Sequence, residues 1–586
     1  MYQLNSLAII LCCFICFSSC NSEKQPAGTE RPNIILIMTD DQGIGDLGVT
    51  GNPILATPNI DAMASRSASL SRFYVSPVCS PTRACLMTGR YNYRTRVVDT
   101  WIGRSMMDTE EVTVAELLGE AGYATGIFGK WHLGDCYPMR PSDQGFQEAL
   151  VHKGGGLAQP SEPFENERRY TDPILFHNNE PIQTKGYCTD VYFDGALDFI
   201  EGAMANSKPF FSYIALNAPH GPYHDVPEDL KAKYKQEDIL SISLGRTDEK
   251  LLDNVAGVLA MIENVDQNVG KLFSQLDEWG LTDNTLVVFM VDNGPNSRRY
   301  VMDLRGMKSE VHEGGIRSPF FAHWPAQLKA GTRSNRISAH IDLLPTFLDA
   351  AQVEIPTELK LDGKSILPLL KGNEASWEDR HLFLQVHRGD SPIKYHHFAA
   401  VGQTYKLVHP SGFGNSEMPA DVPFELYNLE EDPGESQDLA ASHPEEMDML
   451  MKAYENWFED VSSTRPDNYA KPAIVVGTEK ETKTALTAQD WTKRSGGGWG
   501  KSGSWRLAVE QATDFDIEVI LPESTPDAEA KIVFGDVELT QIFGPEETRI
   551  SFENIALPAG ELNLVGSVST AEGPISSLFH VVLVKK

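Results

Sequence analysis

Four short apolar runs, each breaking off into polar residues of unusual type, limit what this chain can fold into. Residues 33–38 run into Thr39-Asp40-Asp41, and residues 124–128 into Gly129-Lys130-Trp131-His132. Residues 209–216 run into Asn217-Ala218-Pro219-His220, and residues 285–291 into Asp292-Asn293-Gly294. Each run has the length of a strand, and helical patterns such as 114–121 and 251–279 lie between them. Strand alternating with helix predicts a mostly parallel sheet covered on both faces. Ligands of such sheets bind outside the carboxyl ends of the strands. Every run places Asp, Asn, Lys or His at that end, so one edge of the sheet gathers the chemistry.

Two regions follow. Residues 376–466 mix strand-like pieces at 382–386 and 405–408 with a helical pattern at 444–458, and read as a small antiparallel-sheet subdomain. Beyond the glycine-rich stretch 495–500 the tail alternates with a period of two. Trp505, Leu507 and Val509 share a face, as do Phe515, Ile517, Val519 and Leu521, and Phe579, Val581 and Leu583. That pattern predicts an antiparallel β-sandwich. The expected architecture is α/β: a main domain over 31–375 with a mostly parallel sheet sandwiched by helices, the subdomain over 376–466, and an accessory β-sandwich over 467–586.

Acidic residues outnumber basic ones, 82 to 50, for a formal net charge of -32. Such a surface excludes wrapping nucleic acid, which needs a basic footprint. A polyanionic substrate fits only if the cations converge in one pocket. Residues 1–20 carry no charge, and the apolar run 7–17 has signal-peptide length, too short to span a bilayer. Its end, Phe17-Ser18-Ser19-Cys20, resembles a bacterial lipobox. The resemblance implies that 1–19 are removed and Cys20 is lipidated. The protein would then be exported and held on a cell-envelope membrane, outer membrane included, by its lipid alone; an ordinary secretory signal would leave it periplasmic. Cys79, Cys85, Cys136 and Cys188 remain beyond the leader, too few for a disulfide scaffold. If Cys79 is catalytic, at most one disulfide can form among the others.

Asp40, Asp41, Asp292 and Asn293 are hard oxygen ligands from two strand ends. They suit Ca²⁺ or Mg²⁺ rather than zinc; either pair alone would more often cap a turn. Cys79 opens Cys79-Ser80-Pro81-Thr82-Arg83, with Thr88-Gly89-Arg90 following. Pro81 favours a helix start. Cys79 would then sit at a helix N-terminus, where negative charge is stabilised, with Arg83 one turn on. Cys85 reads as a buried small hydrophobe.

Cys79-x-Pro-x-Arg83 with Thr88-Gly-Arg90 resembles the signature of the type I formylglycine-dependent sulfatases. The other landmarks follow in order: Asp40-Asp41, Gly129-Lys-Trp-His-Leu-Gly134, Ala218-Pro-His220, Asp292-Asn-Gly294, Arg305-Gly-Met-Lys308, Glu313-Gly-Gly-Ile-Arg317, Asp342-Leu-Leu-Pro-Thr346 and Glu425-Leu-Tyr-Asn-Leu429. The resemblance spans about 31–445. Thr82 stands where serine is common.

The resemblance implies an alkaline-phosphatase-like fold and a sulfuric ester hydrolase. Cys79 would be oxidised by a formylglycine-generating maturation enzyme to formylglycine, whose hydrate is a gem-diol. Asp40, Asp41, Asp292 and Asn293, with modified Cys79, would hold one Ca²⁺, in preference to Mg²⁺. One diol oxygen would attack sulfur, and the other would expel sulfate, a step unavailable to an ordinary serine. His132 would hold or deprotonate the diol, with Arg83 in support. Lys130, Lys308 and His220 would neutralise sulfate oxygens, His220 also protonating the leaving group.

Specificity must lie between these motifs. Trp101 and Arg104 form one candidate wall, and His387 and Arg388 are candidate sugar contacts. Trp499 and Trp505 raise a carbohydrate-binding role for the sandwich, although Trp505 fits a core position and a structural role is favoured. A sulfated oligosaccharide or polysaccharide is the expected partner, algal (ulvan-like, or a carrageenan or fucan) in preference to a host glycosaminoglycan. The alternatives are a phosphodiester or phosphonate monoester hydrolase, and a non-catalytic glycan-binding lipoprotein.

Overall fold

The structure is a computed structural model that describes residues 31–244, 248–575 and 579–586; the leader and Cys20 lie outside them. The four apolar runs are strands. Together with one more they form the parallel centre of a ten-stranded sheet: β1 (Asn33–Thr39), β2 (Ala124–Lys130), β3 (Glu148–His152), β4 (Phe210–Ala215) and β5 (Thr285–Val291), in the order β5-β1-β4-β2-β3. Asn33 lies opposite Thr285, Ile34 opposite Phe211, and Ala124 opposite Phe210, so the carboxyl ends of four strands stand level.

All residues of β1, β2, β4 and β5 are buried. Ile34, Leu36 and Met38 enter one apolar cluster with Leu118, Leu344 and Phe347. Ile35 and Ile37 enter the other, with Tyr192, Leu259 and Val265. Two covered faces explain why the strands read as continuous apolar runs rather than alternating ones. Each such side chain contributes roughly 1.5–3 kcal/mol by leaving water. Three helices matter for the site or its support: α1 (Cys79–Thr88), α2 (Cys188–Ala205) and α3 (Glu249–Glu278). The Asp248 carboxylate caps α3, accepting from Leu251 N at 3.0 Å.

The sheet extends further than the sequence suggests. An antiparallel hairpin, Ile174–His177 and Glu180–Gln183, lengthens one edge. Its strands are short and largely exposed, so they carry little alternation. The readable signal is the turn: Asn178 and Asn179 take φ of 48° and 77°, as a type I′ turn requires.

The subdomain is a four-stranded antiparallel sheet, Leu382–Gln385, Phe398–Val401, Tyr405–His409 and Glu425–Asn428. Helix Pro444–Ser462 covers it with Leu450, Tyr454, Trp457 and Val461. The tail is a sandwich of two sheets whose core holds Trp505, Leu507, Phe515, Ile517, Phe579 and Val581. One strand departs from the antiparallel expectation. Ile474–Val476 runs parallel to Ser502–Val509, its direction tied by Val475 N, which donates to the Tyr137 carbonyl at 3.0 Å. The sandwich core also contains Ile102, Met106, Cys136 and Met139 of the main domain, so this tail is packed onto the α/β unit. No helix among the described residues is long and apolar enough to cross a membrane.

Candidate active site

The site lies at the carboxyl ends of β1, β2 and β5, under the first turn of α1. Cys79 is the first residue of α1, after the extended Val78. Its Sγ lies 3.4 Å from His132 Nδ1. His132 Nε2 lies 2.8 Å from the Thr100 carbonyl, which can only accept, so Nε2 carries the proton and Nδ1 presents its lone pair to Cys79. Burial first, then Lys130 and Arg83, holds this imidazole well below its ordinary pKa, so it is neutral. Burial likewise pushes the Cys79 thiol up, against the pull of Lys130 and Lys308. The unmodified cysteine is therefore a thiol, a poor thiolate nucleophile. Cys79, Cys85, Cys136 and Cys188 are all unpaired and buried, so no disulfide forms among them.

Two carboxylates face Cys79. Ligand atoms of Asp40, Asp292 and Cys79 lie within 4.8 Å of one another. Asp41 joins them: its N–H donates to Asp292 Oδ1 at 3.2 Å, and Asn293 Nδ2 donates to Asp41 Oδ1 at 2.9 Å. Asp40 Oδ1 and Asn293 Oδ1 are buried acceptors without a partner. Orphaned hard oxygens among buried carboxylates fit a divalent oxygen-seeking cation, and no thiolate or imidazole set suits zinc better.

Cations bracket the carboxylates. Lys130 Nζ is 2.6 Å from Asp40 Oδ2, both fully buried. Arg83 reaches Asp292 Oδ2 at 3.1 Å and the Lys130 carbonyl at 3.0 Å, so it braces the carboxylate side of the site rather than Cys79. Lys308 Nζ is 2.5 Å from Asp41 Oδ1, and His220 Nε2 is 3.7 Å from Asp41 Oδ2. Burial would raise Asp40 and Asp41, but Lys130, His220 and Arg83 together outweigh it at Asp40, and Lys308, His220 and Asn293 together at Asp41, so both sit below the usual range. Asp292 goes the other way: burial, then the neighbouring Asp40, pushes it up to about 7 despite Arg83. Three carboxylates thus offset Lys130, Lys308 and Arg83. A divalent cation would leave the pocket positive, the sign an anionic ester needs.

Local backbone explains the motifs. Gly129 has φ of 125°, and a Cβ there would lie 2.0 Å from the Ala215 carbonyl, so only glycine lets β2 and β4 deliver Lys130. Asp41 and His132 take φ of 65° and 61°, a strain of roughly 1–2 kcal/mol each that aims two functional side chains. Thr82 keeps the hydroxyl that serine would offer: Oγ1 donates to the Asp292 carbonyl at 2.7 Å and accepts from Ser76 N at 3.0 Å.

Sequence reasoning missed the support of Asp41. Arg299 is 1% exposed, donates to the Asp41 carbonyl at 3.0 Å and pairs with Asp46 at 2.6 Å. The signal was an arginine pair, Arg298-Arg299, just after Asp292-Asn-Gly294. Gln489 of the sandwich was also missed; its Nε2 donates to the Thr100 carbonyl at 3.2 Å and to Ser105 Oγ at 3.0 Å.

The candidate specificity residues divide. Arg388 lies over Trp101, its Cζ 4.3 Å from the ring centroid, and pairs with Asp99 at 2.6 Å. Arg104 turns inward, paired with Asp390 at 3.1 Å and bonded to the Tyr469 carbonyl. His387 is 3% exposed; Nδ1 donates to the Arg388 carbonyl at 2.7 Å, and Nε2 accepts from Ile393 N at 3.0 Å. Its ring nitrogens are spent on the loop, so His387 and Arg104 organise this corner rather than face a sugar.

A helix N-terminus bearing Cys79, set against paired carboxylates and lysines, defines a hydrolase of anionic esters. The chain belongs to the sulfatase family and is a sulfuric ester hydrolase: the Sulfatase model matches residues 32–353, and the model described as N-sulphoglucosamine sulphohydrolase, C-terminal, matches 305–462. N-acetylgalactosamine-6-sulfatase of Canis lupus familiaris is 32% identical over 391 residues, 62% of this chain and 69% of that protein. Arylsulfatase A of Homo sapiens is 31% identical over 458 residues, 72% and 86% of the two chains. The crystal structure of Ps i-CgsB in complex with k-i-k-neocarrahexaose matches with 30% identity and a TM-score of 0.63, covering 74% of this chain and 94% of that one. Residues 467–586 lie outside both family models.

Proposed function

We propose that this sulfatase removes sulfate from oligosaccharides of a sulfated polysaccharide, algal and ulvan-like in type, with formylglycine made from Cys79 as its nucleophile and one Ca²⁺ at the carboxylate cluster. The observation that carries the reading is Cys79 itself: a thiol at the start of α1, 3.4 Å from a neutral His132 and within 4.8 Å of Asp40 and Asp292 ligand atoms. A carbohydrate substrate is supported by the names of the similar proteins, one an N-acetylgalactosamine-6-sulfatase and one holding a neocarrahexaose.

Asp40, Asp41, Asp292 and Asn293 would hold the Ca²⁺, which supplies positive charge that lowers the proton affinity of the attacking hydroxyl and offsets charge on the sulfate. Formylglycine supplies, as its hydrate, one hydroxyl to attack sulfur and a second to expel sulfate. His132 Nδ1, unprotonated and aimed at position 79, takes the hydroxyl proton. Lys130 and Lys308 hold sulfate oxygens as charge moves onto them. His220 Nδ1 lies 2.8 Å from the Gly221 carbonyl and donates to it, and burial outweighs Asp41 to hold the ring below its ordinary pKa, so Nε2 is an acceptor in the free enzyme and gains a proton only when the bound sulfate favours the imidazolium. That proton goes to the departing sugar oxygen. Maturation by a formylglycine-generating enzyme and a lipid anchor at Cys20 on an envelope membrane belong to the same proposal, supported by the sequence alone.

The test is sulfate release from a panel of algal and animal sulfated oligosaccharides, by enzyme co-expressed with a maturation enzyme. Release from ulvan-derived substrates that vanishes in Cys79→Ala is expected. Release from glycosaminoglycan substrates alone would overturn the algal assignment. Cleavage of phosphodiesters in place of any sulfate ester would overturn the reaction.

A further inference from the structure

Resting on the sulfated-carbohydrate reading, we propose that the C-terminal sandwich completes the substrate site, its Arg494 joining Arg388 at Trp101 to bind a second acidic group on the glycan. Trp101 adjoins Thr100, whose carbonyl fixes His132, so this corner begins one residue from the catalytic machinery. Arg388 Cζ lies 4.3 Å from the Trp101 ring centroid and Arg494 Cζ lies 4.7 Å from it. Trp499 meets the same indole edge-on at 5.3 Å. Trp101 Nε1 donates to Asp99 Oδ2 at 3.1 Å, which fixes the ring's orientation. With two guanidiniums on it, Trp101 serves as a platform for cations rather than as a bare face for a sugar.

Charge balance points to an anion. Asp99 is buried and engaged by Arg388 at 2.6 Å. Arg494 has no carboxylate within 4.0 Å among the described residues, and neither do Lys493 and Lys501 on the same sandwich edge. All three are exposed. In a chain of net charge -32, Arg494 stands on the Trp101 ring with no carboxylate of its own, beside Arg388, whose charge Asp99 offsets. A sulfate or carboxylate at Arg494, on the ring that Arg388 also covers, would supply the missing counter-charge, with the planar geometry arginine favours.

The sandwich is fixed firmly enough to serve. Gly103 N donates to the Gln489 carbonyl at 2.6 Å, and Gly103 has φ of 67° with no room for a Cβ beside the Trp491 carbonyl, 2.8 Å away. His580 donates to the Pro160 carbonyl at 2.8 Å and stacks on Phe164 at 4.1 Å. Lys471 pairs with Asp390 at 3.2 Å.

The experiment is a titration of oligosaccharides into the full-length Cys79→Ala chain, with and without Arg494→Ala, and reads binding without turnover. Three ligands share one backbone: the neighbouring sugar neutral, sulfated, or a uronate. In the Cys79→Ala chain the two acidic ligands are expected to bind about tenfold tighter than the neutral one, and Arg494→Ala is expected to erase that preference while Arg494→Lys restores part of it. A preference for only one acidic ligand would name the group. No preference in the parent chain, or one that survives Arg494→Ala, would overturn the proposal. A general loss of binding that leaves the preference intact counts as survival. Sulfate release by the matured enzyme is measured apart, so failure of the substrate reading shows there.

Discussion

Cys79 Sγ and His132 Nδ1 stand 3.4 Å apart, and the tautomer of His132 is set from behind by the Thr100 carbonyl. Position 79 therefore faces a ready proton acceptor. Replacing His132 with Asn removes that base. We expect kcat to fall by about 10²–10⁴ with the cysteine still convertible, read by peptide mass beside kinetics. A kcat within a factor of three of wild type would remove His132 from the proton path.

Lys308 and Asp41 form a pair at 2.5 Å at the mouth of the site, Lys308 keeping 19% of its side chain exposed. The lysine neutralises Asp41 in the free enzyme and, in the proposed mechanism, would take a sulfate oxygen in the complex. Lys308→Met should lower kcat by about 10²–10³. It should also raise the pKa of Asp41, whose depression rests on Lys308 against burial. Because a depressed carboxylate stabilises above its unfolded pKa and loses that contribution as pH falls, the variant should lose stability relative to wild type at neutral pH and converge with it in strong acid. Thermal unfolding at pH 7 and pH 3 checks the sign.

Asp292 lies at about 7, raised first by burial and then by Asp40. A cation must displace its proton. Ca²⁺ affinity should therefore weaken by up to about tenfold per pH unit below about 7, and binding at pH 6 should release up to about one proton. Titration calorimetry in buffers of different ionisation enthalpy counts it. For the metal-free chain the sign reverses: a raised carboxylate contributes stability at low pH and loses it as pH rises through about 7. An affinity independent of pH between 5 and 8 would take Asp292 out of the ligand set.

Gln489 and His132 share the Thr100 carbonyl from opposite domains. Gln489→Leu frees that carbonyl and Ser105 Oγ from one partner. A buried hydrogen bond of this kind is worth about 1–3 kcal/mol when one side is left unmade. We expect a fall in kcat of roughly three- to tenfold and a lower melting temperature. Gln489→Glu, which offers Thr100 no donor, should share the kinetic loss. A kcat unchanged in both variants would confine Gln489 to holding the domains together.

The strand ends were readable because two patterns coincide there: a continuous apolar run buried on both sides, and polar residues with nowhere else to go. That is why Asp40, Asp41, Lys130, His132, His220, Asp292 and Asn293 could be placed at one edge of the sheet, where the structure brings them together, while the roles proposed for them come from the resemblance to the sulfatases. The corner at Trp101 was half readable. Composition picked out Trp101, Arg104, His387 and Arg388, but could not say that Arg104 would be drawn to Asp390 or that both nitrogens of His387 would serve its loop. Side-chain direction there depends on packing between distant segments. Gln489 and Thr100 are 389 residues apart, and no local periodicity links them. Arg299 was hidden for a similar reason, since a buried arginine reads like any other until its partners Asp46 and Asp41 are seen.

The most direct measurement follows position 79 through one reaction cycle. Matured wild type and full-length Cys79→Ser, the latter made without the maturation enzyme, are incubated with a sulfated oligosaccharide, and both released sulfate and intact protein mass are recorded. Wild type should release sulfate over many turnovers and return to its starting mass. Cys79→Ser has one hydroxyl in place of two, so it should gain the mass of a single sulfuryl group and stop. Steady turnover by the serine variant, or by Cys79→Ala, would contradict a formylglycine nucleophile at this site.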